Sequence, residues 1–296
     1  MIGVLSMNKF LIITNIVKDI DSSLSKKVEE KIKRAGKSVS RVHFDAAWVL
    51  RDDDGQKYMI DPETECALVV GGDGTMLRAE HELIGWGIPM VGINMGTVGY
   101  LADIDSTMWE VAIDELINGH PVEEERMMLS GVLIRGEQII CRELALNDIF
   151  LSRKSGIHVI SVSLEIDGQH VKTYNADGMI VSTPTGSTAY NLSAGGPIAV
   201  PSSQLMLVTP ISPHVLINRS LVVGRDSTVS LSFMDRRSTN NSVDAAVYFD
   251  GREYDIEPGD RVEIEKAQVK AKLFNMSEIS FLENLSRKMN EGQYRL

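Results

Sequence analysis

This chain is poor in cysteine, has no long apolar run and is short of positive charge, and each scarcity removes a class of protein. Two cysteines, Cys66 and Cys141, occur in 296 residues without paired spacing, which excludes a disulfide framework and a zinc site built on cysteine pairs. So low a cysteine content points to a reducing, cytoplasmic compartment. No apolar stretch approaches the roughly 20 residues that cross a bilayer, so no membrane role is expected. The apolar N-terminus, residues 1–17, is broken by Asn8, Lys9 and Asn15, and no small-residue cleavage site follows, which argues against a secretory leader. A formal net charge of −11 argues against general nucleic-acid binding, whose signature is a basic patch, while leaving room for a local pocket for nucleotide phosphates. The six histidines are scattered; His81-Glu82-Leu83-Ile84-Gly85 lacks the second histidine of a zinc-protease helix, and no Gly-x-Ser-x-Gly elbow offers acyl transfer.

What is present is an ordinary globular composition, 43% hydrophobic and 24% charged, in a chain long enough for two cores. Residues 10–14 read as a first strand. Asp21-Ser22-Ser23 offers a cap for a helix carrying Leu24, Val28 and Ile32 up to Gly36. Gly36-Lys37-Ser38 resembles the tail of a Walker loop but lacks its first glycine and its preceding strand. An apolar strand ends at Val70, helical spacing runs over 76–85, and a strand over 88–93 leads to a helix over 106–119 with Trp109, Ala112, Ile113 and Leu116 inward. This is βαβ alternation. From about Pro121 the texture changes to strands at 157–166, 220–223, 228–233, 246–249 and 261–264, with Asp167-Gly168 and Asp250-Gly251 as hairpin turns, which predicts an all-β sandwich or distorted barrel. Helical spacing returns over 278–289 in a terminal helix expected to pack back on the first domain. The expected domains are therefore 1–120, 121–275 and the returning segment 276–296.

The stretch Leu68-Val69-Val70-Gly71-Gly72-Asp73-Gly74-Thr75 carries the strongest chemical signal. Glycines 71, 72 and 74 allow a sharp turn and a close approach of backbone N–H groups to a polyphosphate, making Gly71, Gly72, Gly74 and Thr75 a candidate phosphate-donor loop. Asp73, at the carboxyl end of a strand, is poorly suited to bind phosphate and well suited to take a proton from a hydroxyl that attacks one. The plainer alternative is a tight turn with Asp73 capping the next helix. A second glycine-rich loop, 92–100, ends the next strand and would line the same crevice. Asn147-Asp148 follows an apolar strand and suits a ribose or adenine edge, or a turn. Asp177-Gly178 leads into the Thr-, Ser- and Gly-rich stretch 182–197, a further surface for close ligand approach.

Taken together, Gly71-Gly72-Asp73-Gly74-Thr75, Asn147-Asp148, Thr183-Pro184-Thr185-Gly186-Ser187-Thr188-Ala189-Tyr190 with Ser193-Ala194-Gly195-Gly196-Pro197, and Phe249-Asp250-Gly251 resemble the bacterial NAD kinases. The resemblance implies an N-terminal Rossmann-like α/β domain, a C-terminal β-sandwich domain, and transfer of phosphate from ATP to the adenosine 2′-hydroxyl of NAD, giving NADP, with Asp73 as proton acceptor. It implies NAD held in a cleft between the domains, a divalent metal such as Mg2+ with ligands unspecified, and a homodimer or homotetramer. By motif position, Asn147 and Asp148 would hold the adenosine half, and Asp177, Thr185, Thr188, Ala189, Tyr190, Asn191, Leu192 and Ser193 would line the dinucleotide site. Gly74, Arg78, His158, Asn175 and Arg252 fall at further binding positions. Two departures stand out: Asn175 replaces an Arg or His, which bears on NAD against NADH, and Met95 and Thr97 replace an Arg and an Asn, which bears on ATP against polyphosphate. A lipid kinase of the same superfamily and a non-catalytic NADP sensor are the alternatives; the first has no need of the 183–197 stretch, the second no need of Asp73.

Overall fold

The computed structural model describes residues 7–96, 99–102, 104–119, 121–154, 158–215, 218–234, 244–276 and 279–291. The chain forms two compact units, one from residues 1–125 and 271–296, the other from 126–270.

The first unit runs β1 (Lys9–Thr14), α1 (Ser23–Arg34), β2 (Ser38–Phe44), β3 (Leu50–Arg51), β4 (Cys66–Gly71), α2 (Asp73–Leu83), β5 (Met90–Asn94), β6 (Ile104–Asp105) and α3 (Trp109–Asn118). Strands β5, β4, β1 and β2 lie side by side in that order, all parallel. From β1 the chain steps outward to β2, and from β4 it steps the other way to β5. The winding thus reverses between β1 and β4, the position at which open α/β sheets bind ligands beyond their carboxyl ends. Every residue of β4 and β5 is buried because helices cover both faces. Phe10, Ile12, Leu68, Val70, Val91 and Ile93 pack with Leu24, Val28 and Ile32 of α1 and with Ala112, Ile113 and Leu116 of α3. Gly92 faces the other way, where an added Cβ would collide with Met76 of α2.

The N-cap of α1 is Ser22, within the expected 21–23 stretch, but Asp21 and Ser22 adopt positive φ and the Ser22 side chain makes no capping bond; the buried Asp19 carboxylate instead accepts the N–H groups of Leu24 (2.9 Å) and Ser25 (3.2 Å) and the hydroxyl of Thr14 (3.0 Å). Strand β2 carries no apolar signature, since only Val42 and Phe44 of its seven residues are buried.

The second unit is a sandwich of antiparallel strands. Its strands are β7 (Val122–Arg135, beginning in the first unit), β8 (Gln138–Ala145), β9 (Asp148–Arg153), β10 (Ile160–Ile166), β11 (Gln169–Ala176), β12 (Gly178–Ser182), β13 (Leu205–Ile211), β14 (Leu221–Gly224), β15 (Val229–Met234), β16 (Ala245–Phe249), β17 (Arg252–Ile256) and β18 (Arg261–Asn275). One sheet has the order β14-β13-β12-β9-β16-β17. The opposing layer contains β11-β10-β15-β18 and the β7–β8 hairpin. Ile149, Leu151, Met179, Val181 and Val247 of the first layer interdigitate with Leu129, Val162, Leu164, Leu231 and Val262 of the second in one core. Both expected hairpins form, with positive φ at Asp167 and Gly168 and at Asp250 and Gly251, as two-residue turns of matching twist require. The strand expected over 261–264 is the start of a 15-residue strand. It pairs with β15 at Arg261–Ile264 and with β5 at Leu273, carrying the chain back to the first unit. The second unit also holds α4 (Tyr190–Ser193), a single turn, and the terminal helix α5 (Phe281–Glu291) packs on the first unit as expected; residue 278, its expected start, lies outside the described residues.

Candidate active site

In the first unit the glycine loop lies where the sheet reverses. Gly72 is the N-cap of α2 and Asp73 its first helical residue, so Asp73 does not cap the helix with its side chain. None of Gly71, Gly72 and Gly74 has positive φ, so the sharp-turn argument for these glycines does not hold. At Gly71 the requirement is space: an added Cβ would strike the Thr75 side chain, whose hydroxyl accepts hydrogen bonds from Gly72 N–H (3.5 Å) and from Asn15 Nδ2 at the end of β1 (3.3 Å).

The Asp73 carboxylate is held by the second glycine loop. Oδ2 accepts Tyr100 N–H (2.8 Å), and Oδ1 accepts Leu101 N–H (3.1 Å) and Ala102 N–H (3.0 Å). Gly99 lies so close that a Cβ there would collide with the carboxylate. The turn is closed by Gly99 N–H to Ala102 C=O (3.2 Å), and the buried Asn94 donates to the same carbonyl (3.2 Å). A carboxylate has about four lone-pair positions, so three N–H groups leave it able to accept one more proton. The departure at Met95 sits in this loop; Thr97 lies outside the described residues. One turn along α2, the exposed Arg78 stacks its guanidinium on Trp48, 3.3 Å from the ring centroid.

In the second unit Asn147 and Asp148 form the turn into β9. Asp250, which the sequence marks as a hairpin residue and as part of the Phe249-Asp250-Gly251 motif but not as a site residue, holds that turn: its carboxylate accepts N–H groups from Leu146 (2.6 Å), Asn147 (2.9 Å) and Asp148 (3.0 Å). Burial pushes the Asp148 carboxyl up to about 8, with the charge of Asp250 adding to the effect. Asp250 rises to about 6 through burial, opposed by the N–H groups it accepts.

Asp148 and Phe150 share a face of β9, and Phe150 begins an aromatic wall that sequence reading missed. Its ring stacks on Tyr248 (4.6 Å, 14°) and takes the edge of Tyr190 (5.0 Å, 76°). Burial raises the Tyr190 phenol, and the charges of Asp177 and Asp148 raise it further against the opposing charge of Arg153. Asp177 is paired with Arg153 at 2.6 Å, a cation also absent from the sequence-based set. The alternation of β9 and the cross-strand pair Phe150–Tyr248 could have pointed to this wall.

The threonine-rich stretch divides by direction. Thr183 and Ser182 hydroxyls donate to the carbonyls of Leu146 (2.5 Å) and Asn147 (3.2 Å), so this segment braces the 146–148 turn. Asn191 is fully buried: its amide donates to Ser187 and Pro197 carbonyls and its oxygen accepts the Thr209 hydroxyl, leaving the side chain committed to the loop rather than to a ligand. Thr185 is buried beneath Arg126 (3.5 Å). Tyr190, Leu192 and Ser193 are exposed, and Thr188 and Ala189 half-buried. Asn175 is exposed and accepts the Ser161 hydroxyl (2.7 Å). His158 is exposed, and Arg252 reaches Glu143 at 3.3 Å. Among the described residues, no group of three or more His, Cys, Asp or Glu side chains could hold a metal ion. No helix there is long and apolar enough to cross a membrane.

Comparison with known proteins agrees with this arrangement. Residues 10–121 match the ATP-NAD kinase N-terminal domain and residues 146–276 the ATP-NAD kinase C-terminal domain. The chain is 36% identical over 294 residues to an NAD kinase of Lachnospira eligens, covering 96% of this chain and all of that one. Among solved structures, an NAD kinase from Archaeoglobus fulgidus in complex with ATP superposes with a TM-score of 0.75 at 26% identity, over 95% of this chain and 98% of that one. Yeast NADH kinase complexed with NADH shares the fold with a TM-score of 0.79 at 22% identity, over 97% and 88% of the two chains. With both domain matches in chain order and a relative alike over its full length, the chain belongs to the NAD kinase family.

Proposed function

We propose that this protein transfers the terminal phosphoryl group of ATP to the adenosine 2′-hydroxyl of NAD, yielding NADP and ADP. The observation that carries the reading is the Asp73 carboxylate, fixed by three N–H groups at the switch point of the parallel sheet with accepting capacity left over. As the 2′-oxygen bonds to phosphorus and the bridging P–O bond of the donor breaks, Asp73 takes the hydroxyl proton. The Gly71, Gly72, Gly74 and Thr75 backbone faces the donor phosphates. In the second unit Asn147 and Asp148 hold the adenosine half. Tyr190 and Phe150 offer aromatic faces, and Asp177, Thr185, Thr188, Ala189, Leu192 and Ser193 complete the dinucleotide contacts. Asn191 contributes by shaping this loop. Arg78, His158, Asn175 and Arg252 are further contacts.

A divalent metal such as Mg2+ would accompany the ATP phosphates and offset the charge on them during transfer, and the described residues assign it no side-chain ligands. We assign the protein to the cytoplasm and to a homodimer or homotetramer. The test is turnover of purified protein with ATP or polyphosphate as donor: NAD-dependent ADP formation with NADP as product supports the reading. Phosphorylation of diacylglycerol or a sphingoid base with NAD untouched would replace it by a lipid kinase. Tight NADP binding in calorimetry with no turnover on any donor would replace it by a sensor.

A further inference from the structure

We infer that the terminal helix α5 is a positioning element for Asp73, with Asn284 and Phe281 setting the turn whose backbone grips the carboxylate. The inference rests on the reading of Asp73 as proton acceptor.

Among the described side chains of α5, those not exposed are Phe281, Asn284, Leu285 and Lys288, the i, i+3, i+4, i+7 stripe of an amphipathic helix. Three of the four meet the same two residues. Asn284 Nδ2 donates to Gly99 C=O at 3.1 Å, the Phe281 ring lies 6.0 Å from the Tyr100 ring, and the Lys288 ammonium sits 4.8 Å above that ring. Gly99 and Tyr100 open the 99–102 turn, and Tyr100 N–H is itself a donor to Asp73. None of residues 281–290 is fully buried, so the stripe adds little to the hydrophobic core. What it does is fix a turn that has close tolerances: Gly99 admits no Cβ beside Asp73, and the peptide planes of 100–102 must point their N–H groups at two oxygens. A segment 185 residues away in sequence from the turn thus sets where the carboxylate stands. Errors of about 1 Å in a reacting group can cost about a hundredfold in rate.

The experiment compares Asn284→Ala, Phe281→Ala and Asn284→Gln with Asp73→Asn, and with Leu282→Ala and Met289→Ala as controls on the exposed face of the same helix. Steady-state kinetics, NAD binding by calorimetry and thermal melting are read for each. Asn284→Ala and Phe281→Ala are expected to lower kcat about tenfold with KM for NAD within about twofold, while Asn284→Gln recovers part of the loss and the controls match wild type. In an Asp73→Asn background, Asn284→Ala is expected to cost nothing more, because the group it positions is gone. An Asn284→Ala enzyme with wild-type kcat, or one whose loss is equally large in the Asp73→Asn background, overturns the positioning role while leaving the base reading intact. Undiminished turnover in Asp73→Asn alone removes the base reading, and the positioning inference with it. If Asn284→Ala melts early, the same comparison is made with Phe281→Ala.

Discussion

Asp73 in the first unit and Asp250 in the second are bound alike, each accepting N–H groups from three consecutive residues, 100–102 and 146–148. They differ in what adjoins them. Asp73 opens a helix at the carboxyl end of β4, an inner strand of the parallel sheet, beside the switch point where open α/β sheets bind ligands. Asp250 lies in a β-hairpin, and its carboxylate is tucked under the turn that carries Asp148, a second acid in the same apolar setting. The same backbone device therefore holds the proposed proton acceptor in one unit and braces the 146–148 turn in the other.

The largest effect should separate the two cradles. Asp73→Asn keeps the shape of the loop and is expected to lower kcat on the order of 10² to 10⁴-fold, with NAD binding by calorimetry largely retained. Near-normal turnover would make Asp73 as structural as Asp250 and leave catalysis to positioning. Asp250→Ala should do the reverse, because the loss of the acceptor orphans three N–H groups. A destabilisation of about 1–3 kcal/mol is expected, read as a fall in melting temperature, together with a raised KM for NAD. An Asp250→Ala protein with wild-type melting and KM would show that the 146–148 turn holds itself.

The third test is a pH dependence with a definite sign. The Asp148 carboxyl is raised from 3.8 to about 8, so between those values the folded protein holds a proton that the unfolded chain has given up. Its stabilising contribution is complete below the lower value and is lost as pH rises to the upper one. Asp148→Asn removes this titration, so its melting temperature should fall less than that of wild type between pH 5 and 8 (roughly, the window set by those two values). Because the charge of Asp250 is the second cause of the shift, Asp250→Asn should lower the midpoint of Asp148. Identical pH slopes in wild type and Asp148→Asn would show that burial does not govern this carboxyl.

The two cradles also show what a sequence reveals. The strand, glycine loop and helix around Asp73, the hairpins at Asp167 and Asp250 and the stripe of α1 are local patterns with a period or a turn signature, and all appear in the fold. The partners of the two carboxylates do not: residues 100–102 lie 27 to 29 positions from Asp73, and 146–148 lie 102 to 104 from Asp250. Backbone donors carry no residue type, so nothing in the letters marks them. Strand β2 escaped because Ser, Arg and His break its alternation. The threonine-rich stretch was legible as special, but not in its division: Thr183, Ser187 and Asn191 build the loop, while Tyr190 and its neighbours are presented outward.

The smallest expected effect concerns Asn175, at the end of β11 and two residues before Asp177. Oxidised nicotinamide is positively charged and the reduced ring is not, so a fixed cation near the ring would favour NADH over NAD. Asn175 is neutral and exposed, and its oxygen already accepts the Ser161 hydroxyl. If its side chain lies at the nicotinamide end, such a group discriminates weakly on charge, and activity on NADH beside NAD is then expected. The neighbouring ion pair of Asp177 with Arg153 limits what an added cation can do, since Asp177 already has its partner. Asn175→Arg should therefore shift the ratio of kcat/KM for the two forms by up to about tenfold, about 1.4 kcal/mol, towards NADH. Both substrates are measured in wild type and variant. No detectable NADH rate in wild type, or a ratio unmoved by the arginine, would take Asn175 out of the specificity of the second unit and leave Asp177 and the aromatic wall to set it.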